Sequence, residues 1–123
     1  MTTSSPLRAT QRQVAPGVLV VDLAGDINRE AEAPLNQVLP AAAVGPDPKL
    51  LVLNFADVAY INTTGIALII GLLAKARQQQ CTVSAFGLSD HYMEIFDITR
   101  LSDFISIYPD EATALSAQDW SSQ

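Results

Sequence analysis

The chain has 123 residues, 49% of them hydrophobic and 16% charged, with 7 basic against 13 acidic side chains and a formal net charge of −6. This length and this apolar content predict one compact domain and exclude a disordered chain. An acidic surface repels phosphate backbones and anionic lipid heads, so neither a nucleic acid nor a membrane surface is an expected partner.

Both ends of the sequence are predicted to be flexible tails around this domain. Residues 1–7 lack the hydrophobic run of a secretory signal, and residues 118–123 are largely polar. No internal repeat occurs within 8–117, and no linker there indicates a domain boundary. The missing export signal and the single cysteine, Cys81, predict a cytoplasmic protein.

The first elements in chain order are a β-hairpin and a helix. Strands over 8–14 and 18–24 are separated by turn residues. Helix formers then predict a helix over 29–39, with Asn28 as its N-cap. Pro34 would lose a hydrogen bond inside that helix, so it predicts either a late helix start or a kink.

The middle of the chain predicts a buried strand that leads into a long helix. Proline and glycine predict a loop over 40–48, and a continuous apolar run predicts a strand over 49–55 that is covered on both faces. A loop over 56–62 and a helix over 63–80 follow.

The last third of the chain alternates strands with helices. A strand over 82–86 precedes a helix over 89–99, and a strand over 104–108 precedes a final helix opened by Pro109. Strands that alternate with helices predict an α/β fold, in which parallel strands are joined by right-handed crossovers.

The sequence lacks recognisable catalytic machinery. It contains no glycine-rich phosphate loop and no nucleophile elbow, and one histidine with one cysteine cannot form a zinc site of the usual spacing. Cys81 is interpreted as a small buried hydrophobe, and His91 as a solvated or capping residue in the first turn of a helix. We therefore expect no enzyme and no cofactor or metal.

The segment 57–65 carries the most chemical information. It joins a buried strand to an apolar helix and places two hydroxyls, those of Thr63 and Thr64, at the start of that helix. In the structural interpretation, which chemistry alone favours, a threonine oxygen caps an orphan backbone N–H. In the functional interpretation, a phosphate on the hydroxyl meets free N–H groups and the positive end of the helix dipole.

Three segments in this order carry a family resemblance. Residues 23–28 are similar to an L-x-G-E-L-D turn. Residues 51–55, Asp57 and residues 61–66 are similar to an apolar strand followed by Asp-Ser-Ser-Gly or Asp-Ser-Thr-Gly at a helix start. Residues 93–101 are similar to V-x-x-L-F-x-x-x-G-L. Together they resemble the STAS domain of the anti-sigma-factor-antagonist type, over about residues 8–117.

The resemblance implies a fold and a switch. The fold is a mixed sheet that begins with an antiparallel hairpin, continues with parallel strands and is flanked by about four helices. Thr63 stands at the first hydroxyl of the family motif, which implies that it is the phospho-acceptor. The implied partners are a GHKL-type serine/threonine kinase, itself the anti-sigma factor, and a PPM-type phosphatase. The unmodified domain would bind the kinase and free a sigma factor.

Two asparagines depart from the family pattern. Asn62 replaces the acidic residue before the acceptor, and Asn28 replaces the acidic residue that ends the upstream turn. Both changes lower the charge repulsion that a phosphate would meet, and both remove hard anionic ligands from any cation. Phosphorylation of Thr63 and binding without phosphorylation therefore both stay open.

The helix after the motif has more apolar positions than one core-facing side requires. Four residues recur at core-facing spacing: Ile66, Ile69, Ile70 and Leu73. Four others make the remaining sides apolar: Ala67, Leu68, Gly71 and Leu72. Burial by neighbours explains these four as well as an exposed patch for a partner does. The predicted partner-binding residues are Asn28, Asn62, Thr63, Thr64, Gly65, Ala67, Leu68, Gly71 and Leu72.

The leading hypothesis is a signalling module, monomeric or weakly dimeric, that docks a kinase through Thr63 and the following helix. A second hypothesis is an unphosphorylated STAS subunit of a larger complex, such as a signalling scaffold or a lipid-transport assembly. A third, from another class, is a small nucleotide-binding protein, which the missing phosphate-binding motifs disfavour.

Overall fold

The computed structural model of the chain describes residues 6–15, 17–37 and 49–117. It contains one five-stranded sheet with the strand order β1-β2-β3-β4-β5. The strands are β1 (Arg8–Ala15), β2 (Val18–Ile27), β3 (Lys49–Ile61), β4 (Cys81–Phe86) and β5 (Ser106–Tyr108). The α-helices of the described residues are α1 (Glu32–Asn36), α2 (Thr63–Gln78), α3 (Asp90–Ile98) and α4 (Glu111–Ala117).

The pairing of the strands confirms the predicted mixed sheet. The first two strands pair antiparallel, and every later pair is parallel. Because the parallel strands follow one another in order and crossovers are right-handed, α1, α2 and α3 are expected on one face of the sheet. The apolar strand predicted over 49–55 lies at the centre of the sheet as part of β3.

Each face of the sheet carries its own hydrophobic cluster. On the front face, Leu51 and Leu53 of β3 pack with Ile69 of α2 and Phe96 of α3. On the back face, Val20 and Val52 pack with Ala114 of α4. The front cluster is the larger of the two, so α2 rests on the main core of the domain.

An ion-pair network also holds α4 on the back face. The Arg12 guanidinium donates to Asp22 at 2.6 Å and to Glu111 of α4 at 2.8 Å. Asn54 donates a further hydrogen bond to Asp22 at 2.9 Å. The hydrogen bonds from Arg12 hold the pKa of Asp22 below its ordinary value.

The prediction of a loop over 56–62 is wrong, because β3 continues to Ile61. The second half of β3 pairs with the second half of β2, from Ala24 opposite Asp57 to Ile27 opposite Ile61. One register shift precedes this stretch, between Asp22 and Ala24, and a second lies within it, between Gly25 and Asp26. Alanine and aspartate are poor strand formers, so the local residue preferences did not predict this part of the strand. The extension carries the chain directly to the start of α2.

The helix predicted over 29–39 is shorter than expected. A 3₁₀ turn spans Arg29–Ala31, and the α-helix begins only at Glu32. Pro34 lies in the first turn of α1, where its missing N–H costs no helical hydrogen bond, so the late start is the correct alternative. Residues 38 and 39 and the loop predicted over 40–48 lie outside the described residues.

The remaining boundaries need smaller corrections. Leu7, the last residue of the predicted N-terminal tail, is buried in the core, so the packed domain includes it. The helix predicted over 63–80 ends at Gln78, and the last strand begins at Ser106 because a 3₁₀ turn occupies Leu101–Asp103. The tail predicted over 118–123 lies outside the described residues.

Candidate functional site

The junction between β3 and α2 is held by hydrogen bonds from three directions. The Asn62 N–H donates to the Ile27 carbonyl of β2 at 3.2 Å. The Ile61 N–H donates to the buried Tyr92 hydroxyl of α3 at 2.9 Å. The Gly65 N–H donates to the Asn62 side-chain oxygen at 2.8 Å. The start of α2 is therefore fixed against both a strand and a helix.

Gly65 allows α2 to approach β2 this closely. A Cβ atom on Gly65 would lie 2.0 Å from the Ile27 carbonyl oxygen, well inside van der Waals contact. Because the obstacle is backbone, it cannot rotate away. Gly65 is buried, so it places the first turn of α2 and offers no surface for the partner contact that the sequence predicts for it.

The helix cap comes from Asn62 rather than from a threonine. Asn62 is the N-cap of α2, and its side chain takes the hydrogen bond that the capping interpretation had assigned to a hydroxyl. That interpretation is wrong for Thr63 and Thr64. Both side chains are exposed, and neither hydroxyl has a hydrogen-bond partner among the residues that the structure describes. The two hydroxyls are therefore accessible to a modifying enzyme.

Asn28 lies beside this junction, directly after Ile27. It caps the 3₁₀ turn by accepting a hydrogen bond from the Glu30 N–H at 2.9 Å, which confirms its predicted capping role. The two asparagines that replace acidic residues of the family pattern, Asn28 and Asn62, thus both work as caps. Since asparagine and aspartate cap equally well, the exchange removes charge without removing the cap.

The geometry suits an anion at the start of α2. A 16-residue helix concentrates partial positive charge at its N-terminus, and the backbone N–H groups of its first turn point towards that end. The Thr63 hydroxyl stands at the first position of this helix. A phosphate attached there meets favourable charge and open N–H donors without displacing Asn62 from the cap.

Residues that were predicted to lie on the same side of α2 lie on different sides of it. The inner side is buried and includes Ile69, Leu72 and Leu73, whereas Ala67, Ile70 and Gly71 are exposed. The core-facing prediction for Ile70 is wrong, since 47% of it is exposed. Leu72 was predicted as a partner contact, but it is only 5% exposed and belongs to the core.

The exposed side of α2 is a stripe that starts at Thr63. Thr63, Ala67, Ile70 and Ala74 follow one another at helical spacing and are all exposed, Gly71 lies beside them, and Leu68 is half-buried. A Cβ atom on Gly71 would have no neighbour within 4 Å among the residues that the structure describes. Sequence reasoning missed Ile70 and Ala74, because a helix that is apolar on every side gives periodicity no contrast to detect. We call Thr63, Ala67, Ile70, Gly71 and Ala74 the α2 stripe.

Comparison with known proteins decides the family. The profile of the STAS domain matches residues 9–114. The chain belongs to the STAS domain family. Among its relatives is the anti-sigma-B factor antagonist of Listeria monocytogenes, which is 32% identical over 85 residues, 69% of this chain and 74% of that protein.

Solved structures share the fold of this STAS domain. An anti-sigma factor antagonist from Mycobacterium paratuberculosis superposes with a TM-score of 0.74 at 20% identity, covering 94% of this chain and 97% of its own. A sulfate transporter family protein from Wolinella succinogenes gives a TM-score of 0.73 at 15% identity, covering 91% of this chain and 93% of its own. Proteins with different functions therefore share this STAS fold, and the fold alone does not decide between them.

The helices and the ionisable side chains of the described residues bear on membrane and metal binding. None of the helices within residues 6–15, 17–37 and 49–117 is long and apolar enough to cross a membrane. In the same ranges, no three His, Cys, Asp or Glu side chains come together as metal ligands would. His91 is exposed at the second position of α3, as the sequence predicts.

Proposed function

We propose that this chain is an anti-sigma factor antagonist whose docking to its partner is controlled by a phosphate on Thr63. The partner is an anti-sigma factor that is also a GHKL-type serine/threonine kinase, a PPM-type phosphatase reverses the modification, and the exchange takes place in the cytoplasm. One observation carries the proposal: Asn62 supplies the helix cap, which leaves the Thr63 hydroxyl exposed and unbonded at the first position of α2. The name of the Listeria relative supports the class of function.

The start of α2 can hold the modified state without unfolding. A phosphothreonine carries nearly two negative charges and three acceptor oxygens at neutral pH. The helix dipole and the open N–H groups of the first turn stabilise those charges. Neither neighbouring asparagine adds repulsion, because Asn28 and Asn62 are uncharged.

The α2 stripe is the docking surface in this proposal. Glycine in the interior of a helix costs about 0.8–1 kcal/mol relative to alanine. No described residue occupies the space beside Gly71, so packing within the domain does not explain this cost. Close approach by a partner does explain it, because the missing side chain lets another backbone lie directly on the helix. Asn28, Asn62, Thr64 and Leu68 would border the same contact.

Phosphate on Thr63 would remove that contact. A partner that covers the start of α2 must take a dianion out of water, which costs several kcal/mol unless it supplies matching cations. A group at the edge of the stripe therefore switches the whole surface. The fold stays intact while docking is lost, as a reversible switch requires.

The test is phosphorylation with the cognate kinase and ATP, followed by mass spectrometry of the site and by affinity measurement. We expect label on Thr63 in the native chain and in Thr64→Ala, and none in Thr63→Ala. Thr63→Ala should still bind the kinase. Thr63→Asp should bind the kinase weakly, and its unfolding temperature should equal that of the native chain. Label on Thr64 instead would show that the assigned acceptor is wrong.

A second candidate function is an unphosphorylated STAS subunit of a larger signalling or transport complex. The two asparagines favour it, because they replace acidic residues of the family pattern at the site itself. If the kinase leaves the native chain unlabelled but labels Asn62→Asp, phosphorylation requires the charge at position 62, and the native chain acts without phosphate, as the second function requires. The cap stays intact in that variant, so loss of folding cannot explain the result.

A further inference from the structure

An apolar surface that continues from Ile70 and Ala74 of the α2 stripe lies between the C-terminal half of α2 and the turn that follows α3. It is a groove of about 210 Å³. Leu73 and Leu101 form its buried floor, and Ile70 and Phe104 form walls that are 47% and 57% exposed. The volume lies below the roughly 300–1,000 Å³ of typical small-molecule sites, so it suits a single large side chain better than a cofactor.

The side chains that line this groove include two basic ones. The chain has 7 basic side chains against 13 acidic ones, yet Arg77 and Arg100 both line the groove, and no acidic residue among those that the structure describes does. The charge of Arg100 is offset by Asp103 at 2.9 Å and by the nearby Asp97. Arg77 lies 5.8 Å from the centre of the Phe104 ring and has no ion pair among the described residues. Its guanidinium is available to a carboxylate from outside.

The backbone conformation of Arg100 also indicates a binding site at the groove. Arg100 has a φ of 67°, in the left-handed region that favours glycine because a Cβ atom is crowded there. Such a conformation closes a helix readily with glycine, and here it carries an arginine at the rim of an apolar groove. Backbone strain of this kind collects at binding sites.

We propose that the groove docks a segment of a protein partner that presents a large apolar side chain flanked by carboxylates. The apolar side chain enters between Ile70 and Phe104, and a carboxylate pairs with Arg77. Charge complementarity selects this occupant: an acidic segment gains from the guanidinium of Arg77, whereas a basic one is repelled by it.

The charged end of the groove is distant from Thr63. Arg77 follows Thr63 by 14 residues along α2, which is about 21 Å at 1.5 Å per residue. Charges further apart than the Debye length, about 8 Å at physiological salt, are largely screened. The pairing of a carboxylate with Arg77 therefore does not rest on the phosphate, although the apolar wall of the groove shares Ile70 and Ala74 with the α2 stripe.

The experiment titrates the isotope-labelled full-length chain with a synthetic helical peptide and follows methyl resonances by NMR. The peptide carries Leu and Phe on one side and Glu on its flanks, and its control carries Lys in place of Glu. We expect the acidic peptide to shift the methyl resonances of Ile70, Leu73 and Leu101, and the basic peptide to shift none of these resonances. The acidic peptide should bind more weakly as salt is raised.

Matched variants locate the contact. Arg77→Glu should weaken binding of the acidic peptide by roughly tenfold or more. Lys75→Glu makes the same charge change two residues away, on an exposed side chain that contacts Asn36 rather than the groove, and should change the affinity by less than about twofold. Phe104→Ala should weaken the binding of the acidic peptide and reduce the methyl shifts that the peptide causes.

Four results would overturn the proposal. They are the absence of groove shifts, equal shifts with the basic peptide, equal losses in Arg77→Glu and Lys75→Glu, and groove shifts that depend on protein concentration without peptide. The last would identify a second copy of the chain as the occupant. Thermal unfolding of each variant confirms that it is folded before it is titrated.

Discussion

The two sides of α2 have the same apolar composition and opposite surroundings. Ile69 and Ile70 are neighbours in the chain, yet Ile69 is 1% exposed and Ile70 47%. A Cβ atom on Gly65 would collide with the Ile27 carbonyl at 2.0 Å, whereas one on Gly71 would meet no described residue within 4 Å. The inner residues are explained by the core of this domain. The described residues do not explain the outer ones, and the proposed docking surface does.

The comparison makes its strongest prediction at the two glycines. Gly65→Ala should cost about 4 kcal/mol of unfolding free energy, because the Ile27 backbone and the first turn of α2 must move apart. Gly71→Ala should instead stabilise the fold by about 0.5–1 kcal/mol, because alanine favours the helix and nothing obstructs it. Urea denaturation measures both. A similar loss in both variants would mean that the outer side of α2 is packed after all.

The two isoleucines give the next largest contrast. Ile69→Ala should cost about 3 kcal/mol, since it leaves a cavity in the front cluster. Ile70→Ala removes the same atoms from a half-exposed side chain and should cost less than about 1 kcal/mol. Chemical denaturation of the pair checks the difference. Equal costs would contradict the assignment of Ile70 to the docking surface.

The cap makes a smaller contrast at a single position. Asn62→Ala should lower the unfolding free energy by about 1 kcal/mol, because the Gly65 N–H loses its acceptor. Asn62→Asp keeps the acceptor and places a negative charge at the positive end of the helix, so stability should be kept or slightly raised. Thermal unfolding distinguishes the two. If Asn62→Ala costs nothing, a threonine hydroxyl can replace the cap and is less available than the structure indicates.

Much of the fold could be predicted from the sequence. The apolar run in β3 and the alternation of strands with helices predicted the central parallel sheet, because continuous burial and crossover handedness are properties of the pattern itself. The second half of β3 could not be predicted in this way. Asp57 and Ala59 form strand only because β2 extends beside them, and that pairing is a tertiary contact.

The site shows the same division between pattern and tertiary structure. The motif identified Thr63 and Gly65, but not that Asn62 provides the cap, since asparagine and threonine both cap helices. Nor could the sequence tell which apolar residues of α2 face outward. Ile66 to Leu73 is apolar in every direction, so the side that faces the sheet was decided by how α2 leaves β3.

The central claim is that the outer side of α2 serves docking and not stability. It is tested most directly by the affinity of Gly71→Glu for the proposed partner, a GHKL-type kinase, measured together with the unfolding free energy of the variant. We expect binding to fall by two orders of magnitude or more, about 2.7 kcal/mol, while stability changes by less than about 1 kcal/mol. Native affinity would contradict the docking surface, and a loss of folding that parallels the loss of binding would show that Gly71 belongs to the core.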